Sequence, residues 1–100
     1  TFVVLDGTEI CDITIYNGFT PNGDGHNDTW IIDYIDLHLP NSVTIYNRWG
    51  YEVWSADNYD NVNVVWNGKA ENGDELPDGT YFFVIVIGAE SEKGWVELTH

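Results

Sequence analysis

Apolar and polar side chains alternate with a period of two along much of this chain, as they do in strands that bury one face. The alternation covers residues 11–16, 43–46, 51–54 and 95–99. Segment 81–87 is apolar throughout and therefore predicts a central strand that is covered on both faces. Segment 29–35 predicts another strand, whereas the apolar spacing of an amphipathic helix is absent.

Turn signals rich in Asn, Gly and Pro separate these segments. They are Asn17-Gly18, Asn22-Gly23, Pro40-Asn41, Trp49-Gly50, Asn67-Gly68, Asn72-Gly73 and Pro77-Asp78-Gly79. About seven short strands with regular turns predict an all-β fold, an antiparallel β-sandwich. Segment 44–54 predicts a hairpin that turns near Trp49-Gly50. We expect a single domain over 1–100, in which 1–9 form either a linker or the first strand.

The chain is strongly acidic, with a formal net charge of −14 at pH 7. Its basic residues are only Arg48, Lys69 and Lys93, which disfavours nucleic acid and anionic membranes as partners because both bind through basic side chains. The acidity either serves solubility or provides a surface that gathers divalent cations or meets a basic partner. Cys11 is the one cysteine, so no internal disulfide can form.

A polar, glycine-rich loop at 19–28 carries side chains that suit a hard cation. The predicted Ca²⁺ ligands are its oxygen-bearing residues Thr20, Asn22, Asp24, Asn27 and Asp28. The loop matches an EF-hand only in part, because Thr20 replaces the first Asp and Ile31 stands where the bidentate Glu belongs. Asp6, Asp33 or Asp57 would then complete the site. The competing interpretation is a loop that is held by Asx-turns, without an ion.

Side chains that could form a catalytic set are scattered along the chain. His26, His38 and His100 lie in three separate segments, and no serine lies in a G-x-S-x-G context. Carboxylates are plentiful, but a glycosidase needs two of them across a substrate cleft, and a domain of this size leaves little room for one. The sequence therefore predicts no enzymatic activity.

The five tryptophans Trp30, Trp49, Trp54, Trp66 and Trp95 allow two interpretations. They pack the core, or they form a sugar-stacking platform of the kind found in carbohydrate-binding modules. Trp54 and Trp95 fall on the more polar faces of their strands, so they are the candidates for an exposed adhesive surface.

Loop 19–28 opens a series of motifs that continues in order to the last strand. After F-T-P-N-G-D-G-x-N-D come I-x-N-R-W-G at 45–50, W-x-G-K at 66–69, P-D-G-T-Y at 77–81 and K-G-W-x-x-L at 93–98. On these motifs the chain resembles the gliding-motility-associated C-terminal domain, the type B sorting domain of the Bacteroidetes type IX secretion system. Its middle and end also resemble the immunoglobulin-like domain of flagellar hook-capping proteins. The resemblance implies an Ig-like form of the predicted sandwich.

The resemblance also implies a function, that of a non-catalytic secretion signal at the C-terminus of a larger exported protein. Such a domain directs the cargo domains that precede it through the periplasm and across the outer membrane, with a porin-like outer-membrane partner, and holds them at the cell surface. It requires no cofactor, and Ca²⁺ would only stiffen its first loop. The competing function is a carbohydrate-binding or adhesion module of a secreted protein, and a third is an Ig-like structural spacer.

Two of the motifs are expected to carry the recognition residues. These are Arg48, Trp49 and Gly50 in the I-x-N-R-W-G motif and Lys93, Gly94 and Trp95 in the K-G-W-x-x-L motif. Arg48 either locks the fold through a bidentate carboxylate pair or presents a recognition charge. The motif glycines Gly50, Gly68 and Gly79 are interpreted first as fold determinants. The final strand, 93–99, is predicted to be an exposed edge that is open to β-augmentation.

Overall fold

The computed structural model describes residues 13–21 and 28–99, which form seven strands and one short 3-10 helix. The strands are β1 (Thr14–Ile15), β2 (Gly18–Phe19), β3 (Ile32–Asp33), β4 (Asn41–Tyr46), β5 (Glu52–Asp57), β6 (Gly79–Ile87) and β7 (Glu90–Leu98), and the 3-10 helix is Ile35–Leu37. The proposed linker or first strand at 1–9, together with Cys11, His26 and His100, lies outside the described residues.

The strands form two sheets, which confirms the predicted all-β sandwich. One sheet has five strands in the order β2-β7-β6-β4-β5, and the other consists of β1 and β3. The predicted hairpin at 44–54 is confirmed, since β4 and β5 pair antiparallel through Ser42 and Asp57 at one end and Tyr46 and Glu52 at the other. The prediction for 29–35 is correct only at its centre, because Tyr34 has a left-handed φ of 72° and turns the chain into the 3-10 helix.

The pairing of β2 with β7 departs from the predicted antiparallel arrangement. β2 runs parallel to β7, with Gly18 opposite Glu97 and Phe19 opposite Leu98. Asn17 strengthens this contact, because its Nδ2 donates to the Trp95 carbonyl at 2.8 Å and its own carbonyl accepts the Glu97 N–H at 2.8 Å. The prediction that β7 is a free edge is therefore wrong at its C-terminal end, where β2 occupies the place of an added strand.

Strand β6 has the central position that its apolar run predicts, but it is not covered on both faces. Tyr81, Phe83 and Ile85 are buried, whereas Phe82 is 44% exposed and Val86 is 37% exposed. Since side chains alternate between the faces of a sheet, only one face of β6 points into the core. The small β1–β3 sheet and the segments around it pack on that inner face alone.

An aromatic cluster with a polar centre fills the core. Trp30, Tyr59 and Trp66 are fully buried, and the ring of Trp30 meets those of Tyr59 and Trp66 edge-on. The Tyr59 hydroxyl donates to the Trp30 carbonyl and accepts the Trp66 N–H at 2.9 Å. Because unpaired buried polar groups are costly, this hydroxyl joins the two tryptophan segments as well as filling space.

A candidate recognition surface

The β4–β5 turn, residues 47–51, is fixed by the side chain of Asn47. Its Oδ1 accepts the N–H groups of Trp49 and Tyr51 at 2.9 and 3.0 Å, and its backbone N–H donates to the Tyr51 carbonyl at 2.9 Å. Gly50 completes the turn with a φ of 88°, a conformation that costs a side-chain-bearing residue free energy. The motif therefore specifies a rigid turn, and Asn47, which we did not single out from the sequence, is its centre.

Arg48 and Trp49 project from this turn. Trp49 is 71% exposed, which is unusual for so large an aromatic side chain. The guanidinium carbon of Arg48 lies 4.9 Å from the centroid of the indole, a cation–π distance. The sequence suggested a carboxylate pair or a recognition charge for Arg48, and the stacking on Trp49 is an additional role that spacing alone does not reveal.

A cavity of about 170 Å³ opens beside the turn. Its lining brings the N-R-W-G and P-D-G-T-Y motifs together: Asn47, Arg48, Trp49, Val53, Leu76, Pro77, Asp78, Gly79, Thr80 and Tyr81. The Tyr81 hydroxyl donates to the Pro77 carbonyl at 2.7 Å and so joins two residues of the cavity lining. Burial raises the pKa of Tyr81, the Arg48 charge lowers it, and the Asp78 charge raises it. The charges of Arg48 and Asp78 therefore both act on the Tyr81 hydroxyl in the cavity lining.

The outer face of the sheet carries an aromatic row that leads from β7 to this turn. Trp95 on β7 lies opposite Phe82 on β6, and Phe82 lies opposite Tyr46, the last residue of β4. Directly opposed residues share a face of the sheet and their side chains are neighbours. Trp95 is 46% exposed, and Lys93, opposite Val84, is exposed on the same face. The row Tyr46–Phe82–Trp95 thus connects the two groups of predicted recognition residues.

Gly94 has a packing role. It lies opposite Phe83 on the inner face, and a Cβ at this position would lie 2.7 Å from Cζ of the Phe83 ring. The absence of a side chain lets that ring lie over the strand. The other motif glycines, Gly50, Gly68 and Gly79, have φ values of 88°, 84° and 154°, in agreement with their prediction as fold determinants.

The tryptophans divide between core and surface. Trp30 and Trp66 are fully buried, so a platform of all five is ruled out. The prediction that Trp54 is exposed is wrong, because it lies opposite the buried Ile45 and meets the Tyr59 ring edge-on at 5.9 Å. Trp49 and Trp95 are the two exposed tryptophans.

The predicted Ca²⁺ ligands lie mostly outside the described residues, which include only Thr20 and Asp28 of the set. Asp33 lines a cavity of about 300 Å³ with Phe19 and Thr29, close to both ends of the loop, and its Oδ2 accepts the Tyr16 hydroxyl at 2.5 Å. Asp57 lines a different cavity, with Pro40 and Gly88. Within 13–21 and 28–99 no three His, Cys, Asp or Glu side chains are grouped to hold a metal. The Ca²⁺ site stays a prediction.

Comparison with known protein families identifies the class to which this chain belongs. The sequence matches the model of the CHU_C type IX secretion signal domain over residues 13–98. The chain belongs to this family, which confirms the resemblance drawn from its motifs. No curated protein matches the sequence.

Membership assigns the chain a role as a type IX secretion signal. That role implies interaction with the secretion machinery and export toward the cell surface or the extracellular space. In the part of the chain that the structure describes, the one helix is far too short to cross a bilayer.

Proposed function

We propose that this domain is a non-catalytic, folded C-terminal signal that directs a larger cargo protein through the type IX secretion system to the cell surface. The cargo domains precede it in the same chain and pass through the periplasm with it. Its partner is the type IX secretion machinery, which includes a porin-like outer-membrane protein. The signal requires no cofactor.

The observation that carries this proposal is the outer-face row Tyr46–Phe82–Trp95, whose end residue Tyr46 directly precedes the turn 47–51. It joins motifs that are distant in the sequence, because β6 lies between β4 and β7. A linear targeting peptide would need no such fold. A signal that is assembled from three strands must be read in the folded state.

Burial separates the motif residues that build the fold from those that face a partner. Phe19, Trp66 and Leu98 belong to three motifs and are all buried. Trp49 and Trp95 are exposed although their side chains are large and apolar. Contiguous exposed apolar groups mark interaction sites more often than isolated ones do. We therefore assign recognition to Arg48, Trp49, Lys93 and Trp95, with Gly50 and Gly94 shaping the two segments that present them.

Export of a reporter tests the proposed function. The chain from Thr1 to His100 is fused to the C-terminus of a reporter that carries a signal for export to the periplasm, in a bacterium with a type IX system. Protease shaving of whole cells then measures the fraction at the surface. We expect surface delivery that depends on the fused chain and is lost in a strain without the system. Periplasmic retention in both strains would refute the proposal.

The competing function, carbohydrate binding, would use the same exposed indoles. Trp49 beside a cavity with polar rim residues is the observation in its favour. Calorimetry of the purified chain against soluble polysaccharides separates the two. Millimolar or tighter binding that is lost in Trp49→Ala would support the adhesion module.

A further inference from the structure

We propose that the cavity beside the turn 47–51 binds one large apolar side chain of an extended protein segment, and that basic residues flank this side chain in the partner. The inference rests on the proposed function and names the chemistry of the partner that reads the signal.

The cavity has the size and walls for a single side chain. A volume of about 170 Å³ is close to that of cavities that hold one benzene ring. Val53, Leu76 and Pro77 contribute apolar surface, and the Tyr81 hydroxyl is already engaged with the Pro77 carbonyl. An aliphatic or aromatic group fits this apolar part of the lining, and the polar residues Arg48, Asp78 and Thr80 are available to the groups that flank it.

The rim is organised before any partner arrives. Asn47 holds the backbone of the turn through two hydrogen bonds to its Oδ1, and Arg48 stacks on the Trp49 ring. Little conformational entropy is then lost when a partner binds. Trp, Tyr and Arg are the residues that dominate binding energy at protein interfaces, and 48–51 supplies Arg48, Trp49 and the exposed Tyr51.

The charge around the cavity determines which residues are favoured on either side of the partner's apolar residue. The loop 70–75, which precedes the lining residues 76–81, packs on β5. The Glu71 N–H donates to the Val53 carbonyl at 3.0 Å, and Oε1 of Glu71 accepts the Ser55 N–H at 2.9 Å. Asp78 and Arg48 line the cavity itself. The segments that supply or adjoin the lining, 47–53 and 69–81, carry more carboxylates than cations: Glu52, Glu71, Asp74, Glu75 and Asp78 against Arg48 and Lys69. The local field is therefore negative, in a chain of net charge −14. Electrostatic complementarity favours a segment with Lys or Arg beside its apolar residue.

Three matched peptides test this inference on the isolated chain from Thr1 to His100. The probe is Gly-Ser-Lys-Phe-Lys-Ser-Gly with blocked termini. In one control Ala replaces the Phe, and in the other Glu replaces both Lys residues. Amide chemical shifts of the ¹⁵N-labelled chain report where each peptide binds. We expect the Lys-Phe-Lys peptide to shift signals within 47–53 and 76–81, and either control to bind at least about tenfold more weakly.

Two variants locate the binding energy. Trp49→Ala should lose the peptide response, whereas Leu37→Ala, which removes a side chain of equal exposure on the 3-10 helix, should keep it. Added salt should weaken binding because the flanking contacts are screened.

The inference is overturned by no shift at about 10 mM peptide, by equal or tighter binding of the Glu-flanked peptide, or by shifts outside the cavity region. Reporter export without peptide binding would remove this inference alone, and peptide binding without export would remove the proposed function.

Discussion

The guanidinium of Arg48 lies over the indole of Trp49, with its central carbon 4.9 Å from the ring centroid. The contact stabilises two exposed side chains in one arrangement at the tip of the β4–β5 hairpin. An exposed cation–π pair contributes only about 0.5–1 kcal/mol, so its main effect is on the orientation of the indole and not on the stability of the fold. Arg48 and Trp49 can therefore be altered without unfolding the domain, which makes recognition by these two side chains separable from folding.

Gly94→Ala should destabilise the domain, because the new Cβ would lie 2.7 Å from Cζ of the Phe83 ring. Relieving this overlap forces the ring or the strand to move, at a cost of about 1–3 kcal/mol. Urea unfolding measures the loss. Ser91→Ala, at an exposed position of the same strand, should change the stability by less than about 0.5 kcal/mol. In a Phe83→Leu background the effect of Gly94→Ala should shrink, and equal effects in both backgrounds would show that the ring is not the cause.

Tyr59→Phe should cost roughly 1–3 kcal/mol, because it leaves the Trp66 N–H and the Trp30 carbonyl without their buried partner. Tyr16→Phe is the matched control, since the Tyr16 hydroxyl donates to the Asp33 carboxylate in a solvent-exposed hydrogen bond. It should cost clearly less. Equal midpoints for Tyr59→Phe and the unaltered chain in urea unfolding would contradict the role of the hydroxyl as a link between the two tryptophan segments.

The domain should lose stability above about pH 10, the ordinary pKa of tyrosine. Burial raises the pKa of Tyr59 in the folded state, against a smaller lowering by its hydrogen bond with the Trp66 N–H. Below pH 10 both states keep the proton, whereas above it the unfolded chain releases the proton and the folded chain does not. Unfolding is then favoured as pH rises. Urea midpoints from pH 8 to pH 11 should fall more steeply for the unaltered chain than for Tyr59→Phe, and parallel curves would exclude Tyr59 as the source.

Ca²⁺ binding at loop 19–28 is tested by thermal unfolding in EDTA and in excess Ca²⁺. A ligand that binds only the folded state raises the midpoint. If Thr20, Asn22, Asp24, Asn27 and Asp28 hold an ion, Ca²⁺ should raise the midpoint and Asp24→Asn with Asp28→Asn should abolish the increase. Identical midpoints in the two solutions would favour a loop that is held by Asx-turns alone.

The sequence predicted the parts of the fold that have a periodic signal. The hairpin of β4 and β5 followed from alternation and the turn signal at Trp49-Gly50, and the central place of β6 followed from its continuous apolar run. The parallel pairing of β2 with β7 did not, because a two-residue strand that pairs across most of the chain leaves no local pattern. The exposed face of β6 was missed for a related reason, since an apolar run does not reveal how much the second sheet covers.

The candidate site was only partly visible in the sequence. The motifs singled out Arg48, Trp49 and Trp95, but not the row through Phe82 that connects them, because that row depends on strand register. Trp54 was misjudged because strict alternation puts it on the face of Glu52, whereas the register shift after the Ile45–Trp54 pair places Glu52 opposite Tyr46 and leaves Trp54 opposite the buried Ile45. Asn47 stabilises the turn because its Oδ1 accepts backbone N–H groups of the turn. The sequence signal indicated where the chain turns but not which side chain stabilises the turn.

Surface delivery of the reporter fusion with both residues changed tests whether the folded surface around Trp49 and Trp95 is the secretion signal. Trp49→Ala with Trp95→Ala should lower the surface fraction at least about tenfold, whereas Leu37→Ala should leave it unchanged. The purified variants should stay folded at the temperature of the export assay, because neither indole belongs to the buried core. Delivery of the double variant at the level of the unaltered chain would show that the surface around Trp49 and Trp95 is not the signal.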